Sequence, residues 1–225
     1  MVLRDRISPE LSEFLRYLAS HEEATGGLPS LNDLSRELGI SLAALREQLE
    51  VARALGLVEV RPRTGTRRLP YSFAPSVMKS LAYALTLDQS NFEKYSELRN
   101  HIETAYWDEA VSLLAEEDKL ELKNITARAF EKLHAKQVQV PHEEHRKLHM
   151  LIYSRLNNPF VTGLLEAYWN AYEAVGLNMY AGGIDYLEEV WGYHKTMVQS
   201  ICNGNYAAGR KALITHIDLL AHRPT

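Results

Sequence analysis

The sequence predicts a mainly α-helical protein: an N-terminal winged helix-turn-helix over residues 1–70, a linker at 71–76 and an antiparallel all-helical bundle over 77–225. Residues 8–56 hold three short amphipathic segments, each preceded by a capping residue. Residues 57–71 hold two short extended runs about a glycine. Beyond Pro75 the apolar residues recur at helical spacing with no alternating pattern.

The first segment, "SPELSEFLRYLAS", places Ser8 as cap and Pro9 at the first helical position, with Leu11, Phe14, Leu15 and Leu18 on one face. In "LPSLNDLSRELGIS", Ser30 caps a helix carrying Leu31, Leu34 and Leu38, and Gly39 ends it. "SLAALREQLEVARALG" repeats the pattern, with Ser41 as cap, Leu45, Leu49 and Ala52 inward and Gly56 as the stop. Two short helices joined by a glycine turn make a helix-turn-helix candidate. "LVEV" and "TRRLPY", separated by "RPRTG", read as a hairpin wing. "PYSFAPS" breaks regularity as a linker. Helices are then expected at approximately 74–86, 91–116, 118–136, 141–156, 158–176, 183–203 and 205–221.

Charge separates the two halves. Residues 1–70 hold ten arginines, no lysine and ten acids, so the net −4 belongs to 71–225. The overall balance excludes a uniformly basic protein but leaves room for a local patch, and "RPRTGTRR" supplies one with four arginines and no acid. The single Cys202 rules out an internal disulfide. The first twenty residues are charged throughout, and no apolar run of about 18 residues occurs, so a soluble cytoplasmic protein without membrane contact is expected.

Small helical domains with a hairpin often have no nucleic-acid role, and surface arginines are usually just solvated. Placement favours double-stranded DNA here. A recognition helix enters the major groove by its N-terminal end, and a basic wing tip meets phosphate. Ser41, Arg46 and Arg53 lie on the second helix of the turn, and Arg61, Arg63, Arg67 and Arg68 on the wing, with Thr64 and Gly65 at its tip.

Residues 8–70 resemble the DNA-binding domain of the GntR family of bacterial transcription regulators. The matching pieces are the "LPS" entry, "L-x-x-x-L-G-I-S", "LREQLEVARALGLV" and the "RTGT" wing. Family members often carry Arg directly after the serine that opens the recognition helix. Leu42 stands there instead, which removes a phosphate or base contact and implies a different affinity or operator.

Three of the nine histidines fall within "PHEEHRKLHM", residues 141–150. The zinc-protease pattern H-E-x-x-H fails, because Arg146 stands where the second histidine would be. His145 and His149 are four apart and share a helix face. If the last two helices pack beside that face, His194 and His216 join them, and imidazole suits a divalent transition metal over magnesium or calcium. An isolated histidine on an amphipathic helix is more often simply hydrogen-bonded, which is the reading for His21, His101, His134, His142 and His222.

The second half is similar to the FCD ligand-binding domain of FadR-like GntR regulators, on "ELRNHIE", "H-R-K-L-H…NNPF" and "H-K-T-M-V-Q-S-I-C-N-G-N…H-I". In its metal-binding branch the ligands are Asp-x-x-x-His and a histidine on each of two later helices. That resemblance implies a site at His145, His149, His194 and His216, best suited to zinc or nickel, with His145 replacing the usual aspartate. Four imidazoles bring no negative charge, which favours an anion at any open position. Glu144 is adjacent but projects to another face. Arg99 and Glu103 form either a plain i,i+4 salt bridge or, as the resemblance implies, part of an effector cavity in which Arg99 meets the carboxylate of a small organic acid.

The expected protein is therefore a regulator, not an enzyme. It would bind a palindromic operator as a homodimer and sense a small carboxylate at its metal site, with the arrangement of the two domains as the switch. Its rivals are a direct metal sensor, a metal-dependent hydrolase or oxygenase for which no general base is evident, and an architectural DNA protein with a structural metal.

Overall fold

The computed structural model describes residues 10–21, 27–61, 65–176 and 183–221, leaving aside the side chains of 175, 176, 218, 220 and 221. It forms two compact units, Met1–Lys79 and Ser80–Thr225. No helix among the described residues is long and apolar enough to cross a membrane.

In the first unit α1 spans Glu13–Ser20, α2 Leu31–Leu38 and α3 Leu42–Ala54. The expected cap at Ser8 lies outside the described residues. The helix begins four residues after Pro9, with the Ser12 side chain accepting from the Leu15 amide. Gln48 Oε1 accepts from the Phe14 amide at 2.8 Å, so α3 satisfies one of the free donors at the start of α1. Ser30 and Ser41 cap α2 and α3 as their positions imply, accepting from the Asp33 and Ala44 amides. Gly39 closes α2 at φ 67°, in the left-handed region where a side chain costs about 1–2 kcal/mol.

The wing is a two-stranded antiparallel ladder, β1 Val58–Arg61 with β2 Gly65–Arg68, in the register Val58↔Arg68 to Arg61↔Gly65. Strand β2 stops at Arg68, short of the expected Tyr71. The chain before α2 adds a bridge, Gly27↔Arg67, and the Leu28 amide donates to Thr66 O. Phe14, Leu18, Leu34, Leu45, Leu49, Ala52 and Val58 form the core beneath. Helix α4, Ala74–Leu87, takes up the last three residues of the expected linker.

The second unit is built from α5 (Asn91–Ser112), α6 (Glu116–Leu133), α7 (His142–Ile152), α8 (Pro159–Ala171), α9 (Ile184–Cys202) and α10 (Tyr206–Ala221). Glu116, Glu117 and Asp118 form the first turn of α6, where the helix dipole favours acids. The Asp118 carboxylate also accepts from the Ala115 amide. Asn158 caps α8, and a π-turn at Tyr172–Gly176 follows it in place of continued α-helix. Helix α9 packs on α10 and α6, α6 on α7, α10 on α5, and both α5 and α7 on α8. Trp107, Leu148, Ile152, Met197, Ile201 and Leu213 are among the buried residues between them.

Candidate metal centre

Helix α7 contributes His145 and His149, one turn apart on its buried face. Helix α9 contributes His194 and α10 contributes His216. The packing of α9 on α10 brings the last two together, and one nitrogen from each of the four rings lies within 4.8 Å of the others. His194 and His216 are 0% exposed, His149 1% and His145 8%. All four residues expected as ligands therefore converge.

The donor set fits an ion. Zn–N bonds of about 2.0–2.1 Å place tetrahedral ligand atoms roughly 3.3 Å apart. His149 Nε2 and His194 Nε2 are 3.1 Å apart, close to that separation, while the widest pair must draw in. His145 Nε2 and both ring nitrogens of His216 have no hydrogen-bond partner among the described residues. Leaving a buried polar atom unpaired costs about 1–3 kcal/mol, and His145 and His216 each bring such an atom to the cluster. His194 Nδ1 donates to the Val190 carbonyl at 3.0 Å, which leaves its Nε2 lone pair facing the cluster.

Burial holds all four rings below the usual imidazole range. For His145, His194 and His216, the effect is large and is reinforced by neighbouring rings or Arg99. For His149 the Glu103 carboxylate offsets part of it. Burial thus favours the neutral ring, the form that ligates metal. Trp169, Tyr172 and Trp191 stand edge-on to His145, at centroid distances of 4.8, 6.0 and 6.3 Å. A cavity of about 20 Å³ touches His145 between Val140, Tyr172 and Tyr186, room for about one water.

Arg99 and Glu103 lie beside the cluster. Arg99 Nη2 is 2.9 Å from Glu103 Oε2, with side chains 2% and 0% exposed, so the pair is buried and unlike a surface i,i+4 bridge. The guanidinium lies over the Tyr168 and Trp169 rings, 4.9 and 5.2 Å from their centroids. Arg99 Nη2 is also 2.8 Å from His149 Nδ1, and Glu103 Oε2 is 3.1 Å from the same nitrogen. Burial pushes Glu103 up, but Arg99 and His149 outweigh it and hold the carboxyl below its usual range. The contact between α5 and His149, and the aromatic wall, carry no local sequence signal. Glu144 faces away and pairs with Lys132 at 2.7 Å.

The remaining described histidines have other neighbours. His21 stacks on Tyr17, His134 meets Glu188 at 3.0 Å, His142 Nδ1 meets the Tyr172 hydroxyl at 3.2 Å, and His101 is exposed near Glu97. His222 lies outside the described residues.

On the first unit, Ser41 caps α3 and Arg46 is exposed on its outer face. Arg53, in the last turn of α3, pairs with Glu50 at 2.5 Å. Arg61 and Arg67 both pair with Glu59, and Gly65 enters β2 at φ 84°. Arg63 and Thr64 lie outside the described residues.

Residues 95–219 match the FCD domain. The chain is similar in fold to a GntR protein of Streptococcus agalactiae, at 18% identity and a TM-score of 0.68, with 91% of this chain and 93% of that one covered. Weaker similarities are to Lar, which controls expression of the Listeria monocytogenes agr system (14% identity, TM-score 0.49, coverage 98% and 95%), and to E. coli McbR/YncC (17%, 0.46, 97% and 94%). The fold comparison rests on the first of these. No curated protein matches the chain significantly in sequence.

Proposed function

The chain belongs to the GntR family of transcription regulators, in the branch that carries an FCD domain, and on that footing we propose that its winged helix binds operator DNA while its helical unit binds a divalent transition metal as the controlling ligand. The observation that carries the metal is the convergence of four buried imidazoles, three of whose nitrogens have no hydrogen-bond partner among the described residues. His145, His149, His194 and His216 would hold the ion, with zinc or nickel suiting the nitrogen set best. The ion would supply fixed positive charge and draw α7, α9 and α10 to one point. A winged helix alone contacts few phosphates, so a homodimer on a two-fold operator is part of the proposal.

Whether the ion is the signal or the tether for a second ligand turns on space and charge. The cavity against His145 is about 20 Å³, and Arg99 already has a carboxylate partner in Glu103. The engagement of Arg99 favours the ion itself as the signal. Charge supports a second reading, a small carboxylate effector at the metal. With neutral imidazoles and the Arg99–Glu103 charges cancelling, a divalent ion adds about two buried positive charges, which an anion would relieve. A carboxylate would then have to compete with Glu103 for Arg99 and widen the cavity.

The test uses tag-free protein. About one zinc or nickel per chain in the wild type, absent from a His149→Ala, His194→Ala double variant, supports the centre. Operator binding that changes with metal and ignores a panel of mono-, di- and tricarboxylates supports direct sensing, whereas a carboxylate response only in the loaded protein supports the second reading. Failure to load either ion removes the metal from the proposal and leaves the DNA-binding half standing.

A further inference from the structure

We infer that Glu103 is a positioning residue that sets which ring nitrogen of His149 carries its proton, so that metal binding requires His149 to exchange one tautomer for the other. This rests on the metal reading above.

The argument starts at a fixed end. His194 Nδ1 lies 3.0 Å from the Val190 carbonyl, which only accepts, so Nδ1 carries the proton and His194 Nε2 carries a lone pair. His149 Nε2 is 3.1 Å from that lone pair and must be the donor. His149 Nδ1 is then unprotonated and accepts from Arg99 Nη2 at 2.8 Å. Each nitrogen in the run Arg99, His149, His194, Val190 thus has one consistent role, assigned from the hydrogen-bond network.

In that form His149 offers the cluster a hydrogen where the ion needs a lone pair. Ligation through Nε2 requires the proton to leave it and a proton to occupy Nδ1. Glu103 Oε2 lies 3.1 Å from Nδ1 and is among the buried oxygens with no aligned hydrogen bond among the described residues, so it is the acceptor to which a proton on Nδ1 would turn. Arg99 then donates to Glu103 Oε2, 2.9 Å away, in place of the ring. The exchange balances: one proton moves from Nε2 to Nδ1 through solvent or a neighbouring ring, the Nε2 lone pair passes to the ion, and the ring gains and loses no charge. The carboxylate therefore orients a ligand from outside the coordination sphere, a role whose loss typically lowers metal affinity about 10–100-fold.

The experiment pairs zinc affinity with the tautomer of His149. Long-range proton–nitrogen correlation spectra of the wild type should show His149 protonated on Nε2 without zinc and on Nδ1 with it. Chelator competition should give about 10–100-fold weaker zinc binding for Glu103→Gln. Glu103→Asp, which keeps a charge near Arg99 but withdraws it from the ring, serves if the amide does not fold and should also weaken binding. A wild type that holds Nδ1–H in both states overturns the exchange, and a folded variant with unchanged zinc affinity overturns the role of Glu103. A wild type that binds no zinc sinks the metal reading itself, a result distinct from either.

Discussion

Arg67 and Glu59 face each other across the wing ladder, and the guanidinium Nε donates to the carboxylate at 2.7 Å. Arg61 shares the same carboxylate at 2.9 Å. Hydrogen bonds from Arg61 and then Arg67 hold the Glu59 carboxyl below its usual range. Two of the arginines proposed to meet phosphate are therefore engaged by one acid in the absence of DNA. Exposed pairs of this kind are weak, so phosphates can displace the acid at modest cost. Glu59→Gln should raise affinity for unrelated duplexes by about two- to five-fold and steepen the salt dependence. Titrations at several salt concentrations would check it, and weaker binding by the variant would show that Glu59 aids docking.

Arg63 is placed at the wing tip by sequence alone. If it meets phosphate, Arg63→Ala should weaken binding to specific and random DNA alike and reduce the slope of log affinity against log salt by about one. A changed base preference with an unchanged slope would assign it to base reading instead.

The metal-free protein should lose stability in acid. Burial and neighbouring charges hold His145, His149, His194 and His216 below the imidazole range, whereas the unfolded chain protonates them near pH 6.5. Below that pH the unfolded state binds more protons. The stability of the neutral rings is thus fully present above about 6.5 and is lost as pH falls toward their folded values. Each ring contributes at most about 1.4 kcal/mol per pH unit across that window. Urea melts of the apoprotein should move to lower midpoints between about pH 7 and 5, and a flat profile would count against neutral burial of the cluster.

Gly209 of α10 has no room for a side chain. A Cβ there would sit 2.7 Å from Trp107 Cζ2 and 3.3 Å from Ser200 Cβ. Trp107 is fully buried and its indole donates to the Tyr206 carbonyl at 2.9 Å, so the ring cannot easily give way. Gly209→Ala should cost about 1–3 kcal/mol and, by shifting the helix that carries His216, weaken zinc binding as well. Thermal melts with and without zinc would show both effects. An unchanged melting temperature would mean that α10 moves freely over Trp107.

Much of the fold was legible because its punctuation is local. Ser30, Gly39, Ser41 and Gly56 mark ends through their own side chains or backbone freedom, and they lie where the sequence places them. The start of α1 was less so, since neither the Ser12 side chain that caps it nor the Gln48 oxygen that accepts from the Phe14 amide was singled out in the sequence. In α6 the acids of "EEDK" look like a break but are a favourable first turn. Helix α7 ends at Ile152, although its apolar pattern continues to Leu156. At the site, the spacing of His145 and His149 was visible, whereas His194 and His216 could join them only on the condition that the last two helices pack beside that face. Arg99 touches His149 across 50 residues of chain, a contact no local pattern encodes.

The sealing of the four imidazoles also bears on time. With the four rings 0–8% exposed, an ion bound there would reach or leave the cluster through local opening of the surrounding helices. Exchange is then gated by the frequency of local opening, which is far slower than diffusion in water. A regulator built this way would respond late and forget slowly, its occupancy reflecting the cell's metal supply averaged over the residence time of the ion. Brief fluctuations would pass without reaching the operator.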